Sequence, residues 1–303
     1  MRYCHFPIKS GSLNCMRDWA KLKELVQRGK PRAMYDREIH AFLSTLSKEH
    51  FSDRENLRER FIETFDRWLT GSQWNEISGV ETFPHRDFCV GVTHFLDDIH
   101  QMNGDRVVVV EGDYRYHWRL RPNISVRTPS SLSQGDVLIL AAPFPSLGDL
   151  HPDTKHFLDR ALELSVPVYI DSAWYGCTRG FNFDYNHPAV RSVGFSLSKG
   201  LGLGANRIGV RYSRERENGP ITIMNDHNMC INVLMWYGIQ FIDRFGSDYM
   251  WNKYGELYEE VITGLGLTPT RAIHLAKESD EHGNLHAVGL RSVLRELGDD
   301  WTL

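Results

Sequence analysis

The sequence predicts a three-layer α/β/α protein: a mostly parallel sheet covered on both faces, with a helical N-terminus and a small C-terminal region. Three observations lead there. Short, continuously apolar runs recur between residues 107 and 210. Strands buried on both faces read this way, whereas a sheet with one wet face alternates apolar and polar residues. Some of the runs are separated by helical stretches such as Asp153 to Leu164, the pattern that accompanies parallel crossovers. The chain of 303 residues, 41% hydrophobic and 24% charged, is also long enough to bury a large core as one or two domains.

From the N-terminus, residues 11–80 read as helical and charged. Ser52 and Glu55 have the S-x-x-E spacing of a capping box, placed just before Leu57, Phe61, Phe65 and Leu69 at helical spacing. The expected strands follow: Val107 to Val110, Val137 to Leu140, Val166 to Ile170, Val193 to Phe195 and Ile208 to Val210. From about Asn225 to Gly264 the pattern is helical again, and its aromatics Trp236, Tyr237, Phe241 and Phe245 are expected in the core.

Composition narrows the function classes. A net charge of −4 argues against an electrostatic grip on nucleic acid. The five cysteines, Cys4, Cys15, Cys89, Cys177 and Cys230, form no C-x-x-C pair, as expected of a reduced cytoplasmic protein without a disulfide framework or zinc site. The first residues, Met1 to Pro7, carry no apolar signal core, and no run approaches transmembrane length. A soluble, cytoplasmic protein with a small-molecule substrate is the expectation.

The stretch Ser196-Leu197-Ser198-Lys199-Gly200-Leu201-Gly202-Leu203-Gly204-Ala205-Asn206-Arg207-Ile208-Gly209 is the most informative in the chain. A lysine after two small hydroxyl residues is followed by a glycine-rich turn and an arginine eight positions on (207−199). Such an amine can form a Schiff base with an aldehyde cofactor, while Ser196, Ser198 and Arg207 supply donors and charge for its phosphate. Asp171 lies 28 residues upstream (199−171), at the end of an apolar run. A carboxylate there can hold a pyridine nitrogen protonated, which makes pyridoxal 5'-phosphate an electron sink.

This combination resembles the fold type I pyridoxal-phosphate enzymes, specifically the aspartate aminotransferase superfamily with its S-x-S-K…R-x-G signature. The resemblance runs from about Phe88 to Tyr212. It implies a pyridoxal-phosphate-binding large domain over residues 81–250, after a helical segment 1–80 and before a reduced small domain 251–303. Only 104 residues follow Lys199 (303−199), fewer than the family usually carries, so that last domain looks trimmed. Catalysis would fall to Lys199 and Asp171. Cofactor binding would use Ser196, Ser198, Lys199 and Arg207. By register it would also use Gly91, Val92 and Thr93, where a glycine turn enters a helix and backbone N–H groups meet an anion. Tyr114, in a stretch similar to the family's G-D-x-V…E-x-x-Y, would stack on the pyridine. Arg291 is the candidate for the substrate carboxylate, with Arg271 second, since that task suits a planar guanidinium. A homodimer is implied as well.

Two positions depart from the family. Pro145 stands where an asparagine normally contacts the cofactor's phenolic oxygen, and Trp174 stands where a tyrosine does so; the Trp174 N–H and the hydroxyl of the following Tyr175 are the candidate cofactor contacts there. Fewer donors to that oxygen should alter the proton affinity of the Schiff base. The expected activity is an aminotransferase. Alternatives are a lyase, replacement enzyme or decarboxylase on the same scaffold, or a non-catalytic protein that binds the cofactor or a partner. A metal enzyme built on His94, Asp97, Asp98 and His100 is a further alternative, but only His94 and Asp98 share a helix face, which is too few ligands.

Overall fold

The apolar runs form the middle of a seven-stranded sheet. Its strands lie in the order His85–Cys89, Gly209–Ser213, Val190–Ser196, Val168–Asp171, Val137–Ala141, Val107–Val110 and Ser125–Arg127. The four pairings among the last five are parallel, and Gly209–Ser213 runs antiparallel to both its neighbours. The computed structural model describes residues 17–28, 32–46 and 55–298, so Ser52 of the expected capping box lies outside the described residues.

The alternation of side chains explains why the runs are apolar at every position. Val108, Val110, Leu138, Leu140 and Ile170 belong to the core on one face of the sheet. Val107, Val109, Val137, Ile139 and Tyr169 belong to a second core on the opposite face, joined by Val92, Phe95, Leu96 and Ile99 of the helix Gly91–Asn103. Successive residues of a strand point to opposite faces, so a strand with helices on both sides has no solvated position. The mostly parallel, two-sided sheet expected from the sequence is therefore the one observed.

The first face is covered by the helices Leu57–Thr70 and Asn232–Phe245. Leu57, Phe61, Phe65 and Leu69 are all buried, and Phe61 meets Phe88 of the sheet edge with ring centroids 5.7 Å apart. Gly238 lets the two helices approach closely, because a Cβ there would fall 2.5 Å from the Phe61 ring. Trp236, Phe241 and Phe245 are buried and Tyr237 is half-buried, which makes the aromatic stripe part of the core. The stretch Asp153 to Leu164 forms the helix Thr154–Glu163.

After the helix Tyr249–Leu265 the chain enters a small antiparallel sheet, ordered Gln27–Arg28, Leu285–Gly289, Leu275–Ser279, Thr268–Pro269, and then the helix Arg291–Gly298. One strand of that sheet comes from the N-terminal part of the chain, whose other described elements include the helices Trp19–Glu24 and Arg37–Thr45. No described helix is long and apolar enough to cross a membrane. The parallel strands place their carboxyl ends side by side: Asp171 is in register with Ala141 on one neighbour and Gly194 on the other. A cleft at that edge is where ligands bind on such sheets.

Candidate active site

A cavity of about 470 Å³ opens at the carboxyl ends of the strands. Lys199, Asp171, Arg207, Ser196, Ser198, Val92, Thr93, Tyr114, Trp174 and Arg291 all line it. The structure thus brings together residues from five separate stretches of chain.

Lys199 sits in the short helix Leu197–Gly200, entered from the strand Val190–Ser196 through Ser196, whose hydroxyl accepts the Ser198 N–H at 3.1 Å. That helix is seated on the turn following Asp171. A Cβ at Gly200 would come within 2.8–3.0 Å of the Gly176 backbone, so the two segments meet backbone to backbone and the lysine is held at a fixed offset from Asp171. Burial of the Lys199 amine lowers its pKa; Cys177 and Asp171 oppose this, and Arg207 and Arg291 reinforce it. A desolvated amine near other cations gives up its proton more readily, as a general base requires.

Arg207 organises one end of the cavity. Its guanidinium donates to Thr93 Oγ1 at 2.5 Å and to Ser198 Oγ at 3.3 Å. It also lies directly over Gly91, where φ is +71° and a Cβ would fall 2.8 Å from Nη2. The helix Gly91–Asn103 begins here without a side-chain cap, leaving first-turn N–H groups open toward an anion. These residues, with the space that only glycine leaves, fit the phosphate of the cofactor expected from the sequence.

Asp171 organises the other end and is 5% exposed. One carboxylate oxygen accepts the Ala173 N–H at 2.9 Å, and the other lies 3.1 Å from Nε2 of His117. His117 is fully buried, and its Nδ1 lies 3.5 Å from Asp113, itself anchored by the Ala141 N–H at 3.0 Å. Burial pulls the His117 pKa down, but the charges and hydrogen bonds of Asp113 and Asp171 outweigh it and raise it to about 10. His117 and the Ala173 N–H hold the Asp171 carboxyl in a fixed orientation, which suits a partner for a protonated ring nitrogen. Tyr114 is 38% exposed at the cavity edge, with the His117 ring edge-on at 5.7 Å.

Trp174 and Tyr175 part company. Trp174 faces the cavity and packs on His274 with ring centroids 4.4 Å apart. Tyr175 is buried behind the wall, donating its hydroxyl to the Leu69 carbonyl on the helix Leu57–Thr70. The structure therefore does not bring Tyr175 to the cavity. Pro145 does line it. Arg291 also lines it, with its guanidinium 5.9 Å from the centre of the Tyr35 ring, and Tyr35 stacks on His40 at 3.9 Å. Arg271 is elsewhere, paired with Asp149 at 2.7 Å.

Sequence reasoning missed several lining residues, among them Arg32, Met34, Tyr35 and His40 from the N-terminal part. It also missed His117, although a histidine three residues past Tyr114 and four past Asp113 was a usable signal. In the cluster considered for a metal, Asp98 pairs with Arg211 at 2.7 Å, Asp97 accepts from Tyr116 at 2.7 Å, and His94 Nδ1 accepts the Val90 N–H. Among the described residues no group of three or more histidines, cysteines or carboxylates could hold a metal ion.

No family model and no curated protein matches this chain. Solved structures do. A probable N-succinyldiaminopimelate aminotransferase from Thermus thermophilus is similar with a TM-score of 0.60 at 14% identity, over 92% of this chain and 94% of that one. An alanine aminotransferase from Pyrococcus furiosus gives 0.56 at 15% identity, over 73% of this chain; the chain spans 65% of that protein, just under two thirds of its length. A PLP-bound C–S lyase from Staphylococcus hominis gives 0.52 at 12% identity, over 79% of this chain and 77% of that one. The fold is thus shared with both transferases and a lyase.

Proposed function

We propose that this chain, which has the fold of the pyridoxal-phosphate-dependent aminotransferases, holds pyridoxal 5'-phosphate on Lys199 and acts on an amino acid or amine as an aminotransferase. The observation that carries the reading is one cavity in which a partly desolvated amine, Lys199, shares the walls with a buried carboxyl group, Asp171, and a phosphate-type cradle around Arg207. When bound, the cofactor supplies an electron sink at its ring. The remaining work falls to the protein. Arg207, Thr93, Ser196, Ser198 and the N–H groups at Gly91, Val92 and Thr93 hold the phosphate. Asp171, aimed by His117, would keep the ring nitrogen protonated, Tyr114 would stack on the ring, and Trp174 would offer its indole N–H to the phenolic oxygen. Lys199 removes a proton from the substrate α-carbon and returns it. Borohydride reduction of protein supplied with the cofactor, followed by peptide mapping, tests the reading: a pyridoxyl adduct on Lys199 supports it, and an adduct elsewhere or none refutes it.

Arg291 is assigned to the substrate carboxylate because it lines the cavity and its guanidinium lies over the Tyr35 ring; Arg32 lines the cavity as well. Arg291→Gln should raise KM roughly 10–100-fold with a smaller effect on kcat, the scale of a lost hydrogen bond to a charged group. Arg271→Gln, outside the cavity, should leave KM alone. Equal KM for wild type and Arg291→Gln would remove the assignment.

A lyase, replacement or decarboxylation reaction is the second reading. It is favoured by Pro145 and Trp174, which both line the cavity where the family has an asparagine and a tyrosine. Product analysis by mass spectrometry with a panel of amino acids and keto acids separates the two. A homodimer is proposed from the shared fold and from an exposed cavity rim at Tyr114, Gly204 and Ala205 that a second subunit would cover. Light scattering should give twice the 35.0 kDa chain mass; a fully active species at the monomer mass would exclude it.

A further inference from the structure

The cavity wall carries more positive charge than the proposed chemistry uses. Four of its residues are cationic, Arg32, Lys199, Arg207 and Arg291, and among the described residues Asp171 is its one acidic group. Burial lowers the pKa of His40, against Asp36, so that ring adds no charge at neutral pH. Asp171 is engaged by His117 at 3.1 Å, and Arg207 is committed to Thr93 and Ser198 in the phosphate cradle. Lys199 carries the cofactor in the proposed function. Two guanidiniums, Arg291 and Arg32, then remain, and among the described residues neither is paired with a carboxylate. Burial lowers the Arg291 pKa, and the Arg295 and Arg32 charges add to it. A guanidinium does not relieve such crowding by losing its proton. A substrate α-carboxylate neutralises one of the two, and the other is left to draw a second anion into the cavity.

The stretch that carries Arg32 is held on two sides. Its next residues Met34 and Asp36 are buried. Toward Lys199 it rests on the glycine-rich turn: at Gly202 φ is +64°, and a Cβ there would fall 2.5 Å from the Met34 carbonyl oxygen. Away from the cavity, Asp36 caps the helix Arg37–Thr45 by accepting the Ile39 N–H at 2.9 Å. The same carboxylate holds the Lys253 ammonium and the Tyr254 hydroxyl at 2.6 Å each, on the helix Tyr249–Leu265. Tyr35 ties the stretch to Arg291, whose guanidinium lies over its ring. Backbone fixed in this way lowers the ordering cost of binding. Arg32 itself is exposed, so its charge can meet a ligand on the wall.

We propose that the substrate is an acidic amino acid: Arg291 takes its α-carboxylate and Arg32 takes a second carboxylate, on its side chain. The inference rests on the proposed roles of Lys199 and Arg207 and goes beyond them by naming the substrate class. The one guanidinium left over matches the single charge of a carboxylate, whereas a phosphate monoester carries nearly two.

The test uses the full-length chain supplied with pyridoxal 5'-phosphate and reads binding before catalysis. Succinate and glutarate carry two carboxylates; butyrate and valerate have a methyl group in place of one. Calorimetric titration should show the better diacid binding roughly tenfold or more tighter than its monoacid counterpart, the scale of a hydrogen bond to a charged group. Arg32→Gln should cancel that preference and change monoacid binding less than about threefold, because only the second carboxylate meets residue 32. Kinetics should agree. In the wild type kcat/KM should be higher for glutamate or aspartate than for glutamine or asparagine, and Arg32→Gln should remove the excess through KM rather than kcat. Equal binding of diacid and monoacid by the wild type, or a diacid preference that survives in Arg32→Gln, overturns the proposal. Borohydride mapping is independent. A diacid preference lost in Arg32→Gln without a pyridoxyl adduct on Lys199 sinks the cofactor reading and leaves the two-arginine site. An adduct on Lys199 without a diacid preference sinks this proposal alone.

Discussion

Lys199→Ala is expected to lower turnover by at least ~10⁴-fold, the combined scale of a lost nucleophile and a lost general base. Cofactor is still expected to bind, because Arg207, Thr93, Ser198 and the uncapped helix start at Gly91 remain in place. The protein should not be destabilised. Burial works against the Lys199 charge, and no hydrogen bond within the described residues compensates it, so removing the amine relieves a cost. Turnover assays, cofactor titration and thermal melts check the three parts. Activity within tenfold of the wild type would show that the amine is not the reactive group, whatever else it touches.

Asp171→Ala carries the second largest effect. On the proposed function, the variant leaves the ring nitrogen without the partner assigned to keep it protonated, and turnover should fall by roughly 10²–10⁴-fold, the range in which a positioned acid–base group contributes. The variant also reports on His117. In the folded wild type the imidazole is raised to about 10, against burial, by Asp113 and Asp171, above the value of roughly 6.5 for an unfolded histidine. A raised folded pKa contributes stability that is fully present below about pH 6.5 and is lost as pH climbs through about 10. Removing Asp171 takes away one of the two charges responsible. The destabilisation of Asp171→Ala relative to wild type should therefore be larger at pH 6 than at pH 10, measured by denaturant melts. A gap that does not change between pH 6 and pH 10 would mean that His117 is not charged in the folded protein.

Part of this site was legible because its chemistry is local in sequence. Ser196, Ser198, Lys199 and Arg207 occupy one strand–turn–strand segment of twelve positions (207−196+1), and Gly91, Val92 and Thr93 open one helix. Spacing within such a segment constrains where its side chains reach, so residue types and offsets are informative. The central strands were legible for a related reason: burial on both faces makes every position apolar, and that pattern survives without knowledge of neighbours. The edge strands His85–Cys89 and Ser125–Arg127 left no such trace. The first is rich in charge, with Arg86 paired to Asp66 and Asp87 to Arg211, because an edge strand needs to bury only part of its surface.

By itself, then, the sequence determined the layer architecture, the lysine, the carboxylate upstream of it and the arginine beyond it. Only the tertiary structure decided which of two adjacent aromatics faces the cavity, since Trp174 and Tyr175 differ by one position and the Leu69 carbonyl on a distant helix captures the tyrosine hydroxyl. Only the tertiary structure joined His117 to Asp171, Tyr35 and His40 to Arg291, and His274 to Trp174. Those contacts cross 54 residues in the first case and more in the others. A side chain recruited across such a distance is selected by where the folded backbone delivers it, and no local spacing encodes that delivery.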